Sequence, residues 1–242
     1  ACLGSYAGAS YLEKEQRWAE QIVDFLMDGD AIYLSDGTSE FLAIETPAAD
    51  DSTNRAAIVM HGTGVHPNWP DVVQPLRVGL TEAGWHTLSI QMPVLANEAD
   101  YKDYPAIYDG VPGRIDAAIA HLREQGAETV VLLAHSQGAT MTTYYLANSD
   151  AQVDGFAAIG MGPGIAGTKA DNLAHLPKVS VPMLDLYGSE DLEEVIESSQ
   201  ARAAAATGSP KFEQKVVAGA DHFFQGEEED LLKYVQAWLE EI

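Results

Sequence analysis

The 242-residue sequence holds a single cysteine, Cys2, so no disulfide can form within the chain. A chain of this length buries enough apolar surface to stand without disulfides or a structural metal. Cationic side chains are also scarce. Thirteen Lys and Arg face 37 Asp and Glu, a net charge of −24. A surface this negative repels phosphate backbones and anionic lipids, which argues against nucleic acid as a partner. No apolar run approaches the ~18 residues of a membrane span, so no integral span is expected. His-Glu-x-x-His spacing, cysteine ligand pairs and a glycine-rich phosphate loop are absent. Neither a metal nor another cofactor is therefore expected. Nothing in the pattern indicates an oligomeric state.

The sequence opens Ala1-Cys2-Leu3-Gly4-Ser5, a small-residue start like that left near a signal-peptide cleavage site. The expectation is a periplasmic or exported protein with Cys2 as a lipid-attachment site. The alternative is a cytoplasmic protein in which Cys2 is an inert thiol.

What is present alternates strand and helix. Tyr11 to Met27 has helical spacing, with Trp18, Ile22, Phe25 and Leu26 on one face. Ala31 to Leu34 and Phe41 to Thr46 flank the turn Ser35-Asp36-Gly37 as two short strands. Apolar strands follow at Ala56 to Met60, Trp85 to Ile90, Thr129 to Ala134, Phe156 to Gly160, Val181 to Tyr187 and Phe212 to Val217. Helical patterns at Asp71 to Ala83, Pro112 to Glu124, Leu192 to Ala206 and Glu227 to Leu239 separate or follow them, and another helix starts just after Ser136. Near-continuous apolar strands between helices predict an α/β fold: a mostly parallel sheet covered on both faces, with an antiparallel edge from the first two strands. The whole of 1–242 reads as one domain, with 1–30 as an N-terminal extension and helix. Residues 93–113 lack periodicity and form a candidate lid loop.

In such sheets reactive groups gather at the carboxyl ends of strands. The stretch Val130 to Ala139 runs from a buried strand through Ala134-His135-Ser136-Gln137-Gly138 into a helix. Small residues on either side of Ser136 allow a tight strand–turn–helix elbow that exposes its hydroxyl as a nucleophile. The competing reading is a serine that merely caps the helix. His61-Gly62-Thr63-Gly64 ends an earlier strand. Acyl transfer needs two preorganised N–H donors for the oxyanion; the amides of Thr63 and Gln137 are the candidates. His222 follows the last strand and precedes the last helix, where the base belongs. Asp191, in the loop leaving Val181 to Tyr187, is the preferred acid, with Glu190 and Asp185 as rivals. The order Ser, Asp, His is that of the hydrolase elbow family. His66, Trp69, Tyr101, Tyr104 and Phe223 are candidate walls of a substrate site.

From Phe41 to Ile242 the chain resembles the α/β-hydrolase superfamily, and more narrowly a poorly characterised bacterial family within it. The likeness is carried by His66-Pro67-Asn68-Trp69-Pro70, Pro75-Leu76-Arg77, Gly84 to Pro93 and Gly219-Ala220-Asp221-His222-Phe223-Phe224. The resemblance implies the α/β-hydrolase fold and, through the elbow, serine chemistry, but no substrate; a small-molecule carboxylic ester is the expectation, because ester hydrolysis needs least help for the leaving group. A thioesterase, an acyltransferase and a non-catalytic envelope binding protein on the same fold are the alternatives.

Overall fold

The computed structural model describes residues 9–50 and 52–242; Cys2 lies outside them. Eight strands form one sheet: β1 (Asp30–Ser35), β2 (Glu40–Thr46), β3 (Arg55–Met60), β4 (His86–Ile90), β5 (Thr129–His135), β6 (Gly155–Ile159), β7 (Met183–Gly188) and β8 (Phe212–Val217). Their order is β1-β2-β4-β3-β5-β6-β7-β8. β1 with β2 and β2 with β4 are antiparallel; every later pairing is parallel. The hairpin turns at Asp36, whose carboxylate accepts the amides of Thr38 at 2.8 Å and Ser39 at 2.7 Å.

The central strands are apolar throughout because both their faces are covered. Successive side chains of a strand point to opposite faces. Ala56, Ile58 and Met60 of β3 and Val130, Leu132 and Ala134 of β5 thus enter one core, and Ala57, Val59, Val131 and Leu133 enter the other. The first core is roofed by α3 (Val111–Glu124) and α4 (Gln137–Ala147), the second by α2 (Val73–Glu82) and α8 (Glu228–Leu239). In α3 the buried Val111, Ile115, Ala118 and Leu122 recur at spacings of three and four, one helical stripe.

α1 (Leu12–Phe25) lies over the antiparallel edge, with Ala19 and Ile22 against Leu42 and Ile44. The predicted apolar face of α1 is corrected at Phe25, which stands 79% exposed. The inner face runs instead through Glu15, Ala19 and Ile22, because its first turn is fixed by charge. Glu15 pairs with Arg114 at 3.0 Å, both side chains buried, and Lys14 Nζ donates to the Leu95 carbonyl at 3.0 Å.

Two other expectations change. The helix predicted over Leu192 to Ala206 is split into α6 (Glu193–Glu197) and α7 (Ser199–Ala205), numbered after the short α5 (Asn172–His175). The break coincides with the buried Arg202, whose guanidinium donates to the Val195 carbonyl at 2.6 Å and to Asp185 at 2.9 Å. The segment 93–113 contains a 3₁₀ stretch, Tyr101–Gly110, opened by a capping box between Asp100 and Asp103. Tyr104, Ile107 and Tyr108 of that stretch are buried in the first core.

Candidate active site

Ser136 sits at the junction of β5 and α4 with φ 54° and ψ −118°. Side chains resist positive φ, at a cost on the order of 1–3 kcal/mol, so surrounding structure must hold this conformation. It does so by close backbone approach. The Ser136 amide donates to the Ile159 carbonyl at 2.8 Å. A Cβ on Gly62 would stand 2.9 Å from Ser136 Cβ, and one on Gly138 would collide with the His61 carbonyl. Only glycine fits at either position.

The loop after β8 delivers His222, and the loop after β7 delivers Asp191. His222 Nε2 lies 2.9 Å from Ser136 Oγ, and His222 Nδ1 lies 2.6 Å from Asp191 Oδ1. Asp191 has no exposed side-chain surface; its Oδ1 also accepts the Leu192 amide at 2.7 Å, which fixes the carboxylate. Gly160, at φ 60°, leaves the room this pair needs: a Cβ there would stand 3.1 Å from the imidazole and 3.4 Å from Asp191 Oδ2. The two rival acids lie elsewhere. Asp185 is buried inside β7, bound by Arg202 and by Gln214 Nε2 at 2.8 Å. Glu190 is exposed.

Ser136, Thr63, Gln137, His222, Tyr101 and Phe223 line one cavity of about 570 Å³. Among the described residues the amides of Thr63 and Gln137 have no hydrogen-bond partner; Thr63 lies in the loop after β3, and Gln137 opens α4 directly after Ser136. The loop bearing Thr63 is anchored by the buried His61. Its Nδ1–H donates to the Gly62 carbonyl at 2.9 Å, and its Nε2 accepts the Met92 amide at 2.9 Å. Burial lowers the His61 pKa to about 3, so the ring is neutral and this pattern is stable. His135 also faces the cavity and donates through Nε2–H to the His222 carbonyl at 2.8 Å. Burial and the neighbouring His222 lower its pKa to about 4.

His66, Trp69 and Tyr104 do not line this cavity. His66 packs edge-on between Trp18 of α1, at 5.7 Å, and Trp69, at 5.3 Å. The adjacent Asn68 accepts from Arg77, which also donates to Thr46. This stretch therefore ties α1, α2 and β2 together. Tyr104 points into the first core because the 3₁₀ turn places it beside Ile107 and Tyr108. Sequence reasoning missed Val65, Thr140, Ile165, Leu192, Glu194 and Val195, which also line the cavity. Their signal was masked: Glu194 reads as an ordinary acidic helix start. Among the described residues no group of three or more His, Cys, Asp or Glu is placed to hold a metal ion, and no helix is long and apolar enough to cross a membrane.

A hydroxyl, an imidazole and a carboxylate in hydrogen-bonded series, beside two free amides, can make the hydroxyl oxygen nucleophilic and receive an oxyanion. A family model described as "Protein of unknown function (DUF3530)" matches residues 5–107 and 98–241. No curated protein matches the chain. Several solved structures are similar. Est1E from Butyrivibrio proteoclasticus superposes with a TM-score of 0.69 at 14% identity, covering 87% of this chain and 98% of that one. An alpha-beta serine hydrolase homologue from Coxiella burnetii gives 0.69 at 19%, covering 88% and 98%. Dienelactone hydrolase from Anabaena variabilis gives 0.70 at 19%, covering 88% and 96%. Likeness at such identities establishes the architecture, and this is the α/β-hydrolase fold.

Proposed function

The chain belongs to the DUF3530 family, described as proteins of unknown function, and we propose that it is a serine hydrolase that cleaves a carboxylic ester through an acyl-enzyme. The observation that carries the reading is the series Asp191–His222–Ser136, spaced 2.6 and 2.9 Å, at the wall of a cavity. Fold alone does not fix function, so the argument rests on these three side chains. The names of similar folds, an esterase and a serine hydrolase homologue among them, agree with it.

Ser136 Oγ attacks the ester carbonyl while His222 Nε2 takes its proton. Asp191 holds Nδ1–H, setting the tautomer and stabilising the imidazolium. The oxyanion enters the space between the Thr63 and Gln137 amides. His222 then protonates the departing alkoxide, and the alcohol leaves an acyl group on Ser136. Water, deprotonated by the same imidazole, attacks that acyl group and frees the acid. No cofactor takes part in this sequence.

A fluorophosphonate probe should label Ser136 in the intact protein, and Ser136→Ala should abolish labelling while lowering ester turnover by about a million-fold. Turnover by purified Ser136→Ala near the normal rate would remove the nucleophile and with it this reading.

A further inference from the structure

Among the described residues the cavity wall contains just one carboxylate, Glu194, and no lysine or arginine. The rest of the wall is mostly apolar, with Val65, Ile165, Leu192, Val195 and Phe223 prominent. His135 supplies no compensating charge, because its pKa is lowered to about 4 by burial and by the neighbouring His222.

Glu194 is an exposed residue on the wall of the cavity. It stands in the first turn of α6, opposite Gly162, where an added Cβ would lie 3.6 Å from Glu194 Cγ. Tyr101 of the 3₁₀ stretch shares the wall. Burial pushes the Tyr101 phenol up, the Thr140 hydroxyl beside it pulls it down, and the Glu194 charge pushes it up again.

A carboxylate in an apolar wall without a cation has a simple consequence for any acyl chain that enters. A second carboxylate would lose its water, meet like charge and find no partner. An ammonium group would find a counter-ion. An uncharged end would meet neither effect. The protein's net charge of −24 adds to the same field at longer range.

We propose that Glu194 sorts substrates by charge, so that the site takes acyl esters whose chains end in a cationic nitrogen or an uncharged group, the cationic end preferred, and turns away those ending in a carboxylate. The proposal rests on the serine-hydrolase reading above. It also gives the wall a part in product release, because hydrolysis converts the bound acyl group into an anion that the same carboxylate repels.

The test uses three nitrophenyl methyl alkylphosphonates of equal chain length, ending in trimethylammonium, tert-butyl or carboxylate. Ser136 Oγ forms a bond to phosphorus, nitrophenolate leaves, and the serine proton passes to His222. The second-order rate of nitrophenolate release and the mass of the Ser136 adduct are measured for the wild type, Glu194→Gln and Glu194→Lys. Glu194 is exposed, so neither substitution disturbs a core. The wild type should rank ammonium over tert-butyl over carboxylate, with about tenfold per step. Glu194→Gln should draw the three rates together, and Glu194→Lys should reverse the order. Identical ratios in the wild type and Glu194→Gln overturn the charge sorting alone. Failure of all three probes to modify Ser136 overturns the nucleophile assignment and the sorting with it.

Discussion

Asp191 Oδ1 accepts two hydrogen bonds at once, from His222 Nδ1 at 2.6 Å and from the Leu192 amide at 2.7 Å. The amide fixes the oxygen, and the oxygen fixes the ring. Replacing Asp191 by Asn should therefore cost about ten-thousand-fold in turnover with little loss of stability. Asp185→Asn should do the reverse, because it leaves the buried Arg202 without its counter-charge, a loss of about 3–5 kcal/mol. Glu190→Gln should change neither. Steady-state turnover and urea unfolding of the three variants decide it. An active Asp191→Asn beside an inactive but stable Asp185→Asn or Glu190→Gln would require another acid.

The positive φ of Ser136 predicts a stability that runs against activity. Ser136→Gly removes the Cβ that makes φ 54° unfavourable, whereas Ser136→Ala keeps it. The strain is on the order of 1–3 kcal/mol, and the added chain entropy of glycine takes back roughly 0.5–1 kcal/mol. The Gly variant should melt at or above the Ala variant, both being inactive. A Gly variant clearly less stable than the Ala variant would mean that the elbow holds no strain.

Two buried histidines should make the fold sensitive to mild acid. The folded pKa values, about 4 for His135 and about 3 for His61, lie below the unfolded value of 6.5. Between these limits the unfolded chain binds more protons. The stabilisation is thus complete above about pH 6.5 and is lost as pH falls towards 4 and then 3, by about 1.4 kcal/mol per pH unit for each ring. Urea midpoints at pH 7.5 and 5.0 measure the slope. His135→Gln should show a smaller slope than the wild type, and equal slopes would contradict a buried neutral His135.

The ionic knot at the N-terminal side offers a separate test. Arg114 pairs with Glu15 at 3.0 Å and with Asp36 at 3.5 Å, and donates to the Gln91 carbonyl at 2.9 Å. Arg114→Met should leave two carboxylates beside each other without a cation, lowering unfolding free energy by about 3–5 kcal/mol. Adding Glu15→Gln to Arg114→Met should recover part of that loss. If the double variant is no more stable than Arg114→Met, Glu15 is not the burden.

Why some of this is legible in sequence and some is not follows from the range of the contacts. The run Val130 to Ala134 is apolar because two cores need it, so β5 and the elbow after it can be read locally. His222 and Asp191 are found by their places after strands, before any distance is known. His66 and Trp69 mislead because they follow the Thr63 loop closely, yet they pack on each other and His66 packs on Trp18, on a helix far back in the chain. The break between α6 and α7 is equally invisible, since Ala201 to Ala206 favours helix and the cause is an ion pair reaching back to β7. Glu194 escapes for a similar reason: a first-turn glutamate is ordinary on any helix, and only the fold sets it opposite Gly162 on the cavity wall.

The loop after β8 also imposes a timetable on the chain as it is made. Ser136 precedes its imidazole by 86 residues. At synthesis rates of about 5–20 residues per second, the serine waits roughly 4–17 s on the ribosome before His222 exists. β8 pairs with β7 alone and forms the far edge of the sheet, so it is also the last strand to have a template. During that interval the growing polypeptide carries the Ser136 hydroxyl without its imidazole partner. The contact between Ser136 and His222 thus arrives only after all eight strands of the sheet have been translated.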